Sequence, residues 1–345
     1  MWNNRLINAN PNQPPWNLNP LQNKVKTEFK DLIDNGTVSI NEVLYCQCGS
    51  KRFESLTSID RFGLPFGSKI CKDCGLVLTD PIISSNSLSL FYENIYHPLT
   101  FGNDTPENVK FLFNKTQGKK IYNKIIGHVN GNKLNVLEIG CGAGFNLLDF
   151  KKNAESKGIS AEVFGIEYNS KYVEYGCKKL GLNIMEGDLD SLNNTSMCYD
   201  VVILSHVFEH FIDLMSELDK IKSVINENTL LYIEVPGILD LKQKYEYNCD
   251  FLRYFTCAHI YHFSLGTLTN IMRMAGFQLV EGNEKVEAIY KLSNGNNPVR
   301  IDNNYDIIVD YLRELESNLM FYQSHNPNKK IHRRLINKVR SYLHD

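Results

Sequence analysis

Nowhere in these 345 residues is there an apolar run near the roughly 20 residues of a membrane span, so no transmembrane helix is expected. The opening "MWNNRLINANPNQPPWNLNP" is polar and proline-rich and has no apolar signal core, so a cytoplasmic location is expected. Charge of one sign is also lacking. A formal net charge of −2 gives no reason to expect nucleic acid or an anionic membrane as a partner. There is no GxxxxGK[ST] after a strand, which disfavours a phosphate loop. No internal repeat is present. The nine cysteines are odd in number, which argues against a disulfide framework. With 43% hydrophobic residues the chain can still bury a core, as one large domain with additions or as two domains.

Composition divides the chain. Residues 1–40 form an Asn/Pro-rich arm with Trp2 and Trp16, and its opening reads as neither regular helix nor central strand. Residues 41–80 hold four clustered cysteines. Residues 81–130, with "LSLFYENIYHP" and "NVKFLFNKTQGKKIYNKII", read as a helical, aromatic connector. Residues 131–293 alternate strand and helix. The strand candidates are "NVLEIG", "EVFGIE", "NIMEG", "YDVVILS", "LLYIEVP", "FQLVEG" and "AIYKLS". Such alternation implies an α/β fold, a mostly parallel sheet covered by helices on both faces. Residues 294–345 read as a C-terminal helical extension, with Ile308, Leu312, Leu315 and Leu319 at helical spacing. Ile331, Leu335, Val339 and Leu343 repeat that spacing. Lys329, Lys330, Arg333, Arg334, Lys338 and Arg340 give this last helix a solvated basic face.

The stretch "NVLEIGCGAGFN" breaks a strand into Gly140, Gly142 and Gly144. A dinucleotide turn, GxGxxG, would need glycine where Phe145 stands. Glu138-x-Gly140-x-Gly142-x-Gly144 instead resembles motif I of the class I S-adenosylmethionine-dependent methyltransferases. The resemblance implies a Rossmann-like domain with a mostly parallel seven-stranded sheet. Its glycines would let the backbone approach the methionine part of the cofactor. It also implies that Glu167, ending "VFGIE", accepts hydrogen bonds from the ribose, with Tyr168 beside it. Asp188 and Leu189 in "EGDL" would face the adenine. Ser205 and the rest of "YDVVILSHVFEH" would border the methyl group.

The other motif is Cys46-x-Cys48-Gly49, then Cys71-x-x-Cys74-Gly75. Four thiolates on two tight turns suit a closed tetrahedral zinc site, structural because no ligand position is left open. The arrangement is similar to the small N-terminal zinc-binding module of some bacterial sugar methyltransferases, and "FYENIYHP" fits it. The first pair is CxC where CxxC is usual, with Tyr45 at the expected ligand position. The remaining cysteines, Cys141, Cys177, Cys198, Cys249 and Cys257, read as small packing residues.

"HVFEH" formally matches HxxEH, a zinc-protease pattern. Its place in the fourth-strand loop, without a third ligand, sets that reading aside. His206, Glu209 and His210 are instead expected at the mouth of the cofactor site. In "CAHIYHFSLGTL", His259 matches the histidine that faces substrate in zinc-bearing relatives and is the expected general base. His206 or His210 would position the substrate, and Tyr261 would pack against a sugar ring. Ala258 replaces the Glu that sugar C-methyltransferases carry, which favours O-methylation. The expected function is methylation of a nucleotide-activated sugar or a related small precursor of a surface polysaccharide. The alternatives are another small-metabolite methyltransferase, including C-methylation of a keto sugar, and a catalytically silent scaffold. Nothing in the sequence speaks to the oligomeric state.

Overall fold

The computed structural model describes residues 4–103, 116–129, 131–194, 197–293 and 300–325. Within them, the strands of the N-terminal part are β1 (Ile40–Asn41), β2 (Phe53–Thr57), β3 (Gly67–Cys71), β4 (Val77–Asp80) and β5 (Ile82–Ile83). The alternating region supplies β6 (Lys133–Ile139), β7 (Ser160–Glu167), β8 (Asn183–Glu186), β9 (Val201–Ser205) and β10 (Leu230–Glu234). It continues with β11 (Tyr261–His262), β12 (Phe277–Gly282) and β13 (Glu287–Leu292).

The expected seven-stranded sheet forms, in the order β12-β13-β10-β9-β6-β7-β8. Strands β6 to β10 pair in parallel, and β13 runs antiparallel to both β10 and β12. The central strands β9 and β10 are nearly continuous apolar runs because helices cover both faces of the sheet. Strand β6 has β7 on one side and β9 on the other, so the strand order reverses there. The crevice beyond the carboxyl ends of β6 and β9 is where an open α/β sheet binds its ligand.

The cysteine-bearing segment builds a second sheet, ordered β11-β4-β3-β2. Its fourth strand is not local. Tyr261 pairs with Leu78 and His262 with Val77. Packing follows pairing: Cys46, Cys71, Cys74, Leu76 and Leu78 share one buried cluster with Leu137, Leu204, Phe208 and Phe263.

The Asn/Pro-rich opening of the arm is irregular over 8–19, as expected, but helices flank that stretch. Asn4–Ile7 forms one helical turn with Leu6 fully buried, and Pro20–Asp34 is a 15-residue helix. Proline opens this helix because its missing N–H falls where no intrahelical partner exists. Asn19 Oδ1 accepts from Gln22 N at 2.8 Å, and Gln22 Oε1 accepts from Asn19 N at 3.0 Å, which closes a capping box. Trp16 docks where two arginines, Arg61 and Arg253, approach its ring, whereas Trp2 lies outside the described residues. At the other end, Tyr305–Ser317 buries Ile308, Val309, Leu312 and Leu315, while Leu319 is only partly covered. Asn304 N donates to Cys74 O at 3.2 Å, which ties the start of this helix to the cysteine turn. The basic segment 329–340 and all of "NVKFLFN" lie outside the described residues.

Candidate active site

The glycine turn joins β6 to the helix Phe145–Glu155. All three glycines are left-handed, at φ 65°, 56° and 81°. Their surroundings differ. A Cβ on Gly140 would lie 2.4 Å from Val207 Cγ2, and one on Gly144 would lie 2.4 Å from Leu182 Cδ1. These two glycines serve backbone conformation and packing. A Cβ on Gly142 would meet only Tyr172 Cδ1, at 3.9 Å, and would otherwise project into open space. Only Gly142 therefore keeps clear the room that a ligand would fill.

Two carboxylates converge on this turn. Glu167 Oε2 accepts from Gly142 N and its Oε1 from Asn169 N, each at 2.8 Å. Burial raises its pKa against those amides, and lone pairs remain for further donors. Glu138 is 1% exposed. Its Oε1 accepts from Asn146 Nδ2 at 2.8 Å, but its Oε2 has no partner. Burial pushes its pKa up to about 8. An orphaned buried acceptor, a cleared glycine and a carboxylate with spare lone pairs fit a ligand that bears both an ammonium group and ribose hydroxyls. Tyr168 is exposed, as is Asp188, whose Oδ1 accepts from Asp190 N at 2.9 Å. Leu189 is buried in the main core, so of this pair only Asp188 meets solvent. Ser205 ends β9 beside Glu234 of β10.

Beyond β9 the chain turns through His206 at φ 58°, unusual for a residue with a side chain. Its amide donates to Glu234 O at 2.7 Å. The one-turn helix Phe208–His210 then buries Glu209, which is 1% exposed with both carboxylate oxygens unpartnered. Three imidazoles surround it: His206 Nδ1 and His259 Nε2 at 3.7 Å, and His210 Nε2 at 4.0 Å. The ligand atoms of Glu209, His210 and His259 lie within 4.8 Å of one another, a geometry that can hold a proton or a cation.

Their surroundings separate the histidines. The side chain of His206 is 49% exposed. Desolvation opposes its charge, but Glu209 and Glu234 outweigh it and raise its pKa. His259 is 14% exposed, and burial, with neighbouring histidines and Arg61, pushes its pKa well below 6.5. Burial also lowers His210, whose Nδ1 lies 2.8 Å from Ala258 O and whose ring meets Tyr92 and Tyr96 edge-on. Tyr261 is 4% exposed, with its hydroxyl donating to Ile212 O and accepting from Gln47. It cannot pack on a sugar, because its place in β11 turns it into the core. Glu234, His97 stacked on Tyr172, Tyr92, Tyr96 and Arg61 also line this region or charge it; Tyr92, Tyr96 and His97 belong to "FYENIYHP" and Glu234 to "LLYIEVP", stretches whose individual side chains the sequence did not single out.

The four cysteines converge. Cys46 and Cys74 Sγ are 3.5 Å apart, Cys48 and Cys71 Sγ 3.6 Å, and all four lie within 4.8 Å of one another. A tetrahedral zinc with bonds of about 2.3 Å needs sulfur–sulfur edges of about 3.8 Å, so the set fits the ion. Gly49 and Gly75 are left-handed, and their amides donate to Cys46 O and Cys71 O. The CxC spacing does not keep Cys48 from the cluster. Tyr45 is 54% exposed under the Lys51 ammonium, away from the sulfurs.

A family model described as a methyltransferase domain matches residues 104–282, more than half of the chain. No curated protein matches the sequence. Among solved structures, the chain is similar to a SAM-dependent methyltransferase from Aquifex aeolicus, at 19% identity and TM-score 0.39, covering 55% of this chain and 99% of that one. One from Archaeoglobus fulgidus is 22% identical at TM-score 0.39, covering 61% of this chain and 90% of that one. Magnesium protoporphyrin IX methyltransferase from Synechocystis PCC 6803, solved with bound SAM, is 12% identical at TM-score 0.39, covering 60% and 94%. The domain match carries the assignment and agrees with the sheet order and the glycine turn: the chain belongs to the methyltransferase-domain family and is a class I S-adenosylmethionine-dependent methyltransferase.

Proposed function

We propose that this enzyme methylates a hydroxyl of a nucleotide-activated sugar, or of a related small precursor of a surface polysaccharide, with a histidine taking the proton. The acceptor class rests on the resemblance of the cysteine module to that of sugar methyltransferases. In this reading Glu138, Gly142, Glu167, Tyr168, Asp188 and Ser205 form the cofactor wall, which Gly140, Gly144 and Leu189 shape from behind. Cys46, Cys48, Cys71 and Cys74 hold one structural zinc. Bound S-adenosylmethionine supplies an electrophilic methyl group on a sulfonium. The protein's part is positioning and proton transfer. Glu138 accepts from the ammonium and Glu167 from the ribose hydroxyls.

The observation that carries the proton-transfer reading is His206. It stands half-exposed beyond β9, with Glu209 and Glu234 within 4.0 Å. A base must be neutral when it acts and must bind the proton firmly once it has it. His259 is neutral throughout the working range, but with its pKa well below 6.5 it is a weak acceptor. The role expected of His259 therefore passes to His206, and His210 and His259 shape the site around Glu209.

The pH–rate profile of kcat tests this. An acceptor with a raised pKa is protonated and idle until the pH exceeds that pKa, so the acidic limb falls above 6.5. His206→Asn lowers kcat by about 10²–10⁴-fold and abolishes that limb. His259→Asn leaves the limb where it is. A limb well below 6.5 that disappears in His259→Asn would return the role to His259.

A further inference from the structure

The β2–β3 loop of the cysteine module reaches across to the segment that precedes His259. Arg61 N donates to Phe255 O at 2.8 Å, and Asp60 Oδ2 accepts from Cys257 N at 3.0 Å. The Arg61 side chain is 9% exposed. Its guanidinium carbon lies 4.9 Å from the Trp16 ring centre and 4.8 Å from that of Phe62. Arg253 approaches the same indole, at 5.0 Å. The Nε atoms of both arginines are buried without a hydrogen-bond partner.

Among the described residues neither one forms an ion pair within 4.0 Å, and the nearest acids, Asp60 and Asp250, act on them only at longer range. Asp60 is fully buried, and its oxygens are taken by the amides of Phe62, Leu64 and Cys257. Asp250 is held by two nitrogens of Arg5, at 3.2 and 3.0 Å. A largely buried guanidinium without a direct ion pair is costly, and Arg61, beside the half-buried Arg253, gains from an anion arriving there. Arginine suits that task, since its rigid fork matches the oxygens of phosphate or carboxylate and its plane stacks on aromatic rings. The position is also right. The Phe255 ring lies 4.7 Å from that of His262, and the charge of Arg61 is felt at His259 and His262.

We propose that Arg61 and Arg253 bind an oxyanion carried by the methyl acceptor, with Arg61 lent to the cleft by the cysteine module. This rests on the proposed function and narrows it to acidic acceptors. The phosphates of a nucleotide-activated sugar have the matching chemistry, and a sugar carboxylate shares it.

Calorimetric titration of the full-length, metal-loaded protein with pyrophosphate and, separately, with glucuronate distinguishes the two sources. One of them binds at a single site, and Arg61→Gln weakens it by about tenfold or more, the usual effect of losing a charged hydrogen bond. Arg253→Gln weakens it in the same direction. S-adenosylhomocysteine, titrated in parallel, binds parent and variants alike, which shows that the fold and the cofactor wall are intact. Should Arg61→Gln fail to fold, Arg253→Gln and Arg61→Lys carry the comparison. The proposal is overturned if the parent binds neither anion, or if folded variants bind as tightly as the parent. A parent that binds the anion but not S-adenosylhomocysteine would instead undo the cofactor reading and leave the anion site standing.

Discussion

The three glycines of the turn share a backbone conformation, but they face different neighbours, and substitution should separate them. Gly140→Ala drives a methyl into Val207, and overpacking of this kind costs about 1–3 kcal/mol on top of the left-handed strain. Gly142→Ala meets only that strain and loses cofactor room instead. Thermal unfolding and S-adenosylhomocysteine titration of the two variants should therefore give opposite orders, with stability hit harder in the first and affinity in the second. Equal affinities for Gly142→Ala and the parent would place the cofactor elsewhere. Glu138 makes a second prediction. Its folded pKa of about 8 lies above the ordinary value of 4.5, so the folded state holds the extra proton. The stability this gives is fully present below about 4.5 and is lost as the pH rises through about 8. Glu138→Gln cannot lose that proton, so the fall of Tm between these limits should be shallower in the variant without ligand. A parallel fall in both proteins would show that Glu138 is not the source.

At the scale of elements, β11 is where the cysteine module and the catalytic segment meet. It pairs with β4, two residues after His259, and His262 Nε2 lies 3.0 Å from Thr79 Oγ1. The cysteine turns, one before β2 and one joining β3 to β4, are closed by the four sulfurs, so the metal should govern how firmly β11 is held. Elemental analysis of protein purified without added metal should give about one zinc per chain. Cys71→Ser, at a fully buried ligand position, should lower both metal content and Tm. Acceptor turnover should fall further than S-adenosylhomocysteine affinity, because the cofactor wall stands on β6 and β7 while the histidines stand next to β11. A metal-free protein of full stability would sink the zinc reading.

Across the whole molecule, the core does not respect the composition boundaries. Cysteines of the module and leucines of the central sheet share one buried cluster, and the helix Tyr305–Ser317 closes another with Leu56, Ile70 and Val77. A fragment limited to residues 131–293 would expose those faces and leave β11 without its partner strand. We expect such a fragment to bind hydrophobic dyes and to lack a sharp thermal transition, while the full chain unfolds in one cooperative step. A fragment that melts cooperatively would show that the central sheet is independent of the rest.

Local pattern determined much of this protein. The alternation of strand and helix fixed the parallel sheet, because apolar periodicity is a property of a few consecutive residues. Glu138, the glycines, Glu167 and the cysteine pairs were legible for the same reason, since each turn is built within a short segment. The prolines of the opening kept 8–19 irregular as read, but the helix that follows was not anticipated, because proline argues against a helix until its position relative to the first turn is known, and Pro20 sits where it is tolerated. The different surroundings of His206, His210 and His259, on which the proposed division of labour rests, were not in the sequence. They depend on exposure and on the distance to Glu209, which only the packing of β9 against the β10–β11 segment sets. The burial on which the role proposed for Arg61 rests was equally hidden. Nothing in "SIDRFGLPFG" says that its charge will be buried without a direct ion pair, because that depends on Trp16, Phe255 and Cys257, brought together from distant parts of the chain.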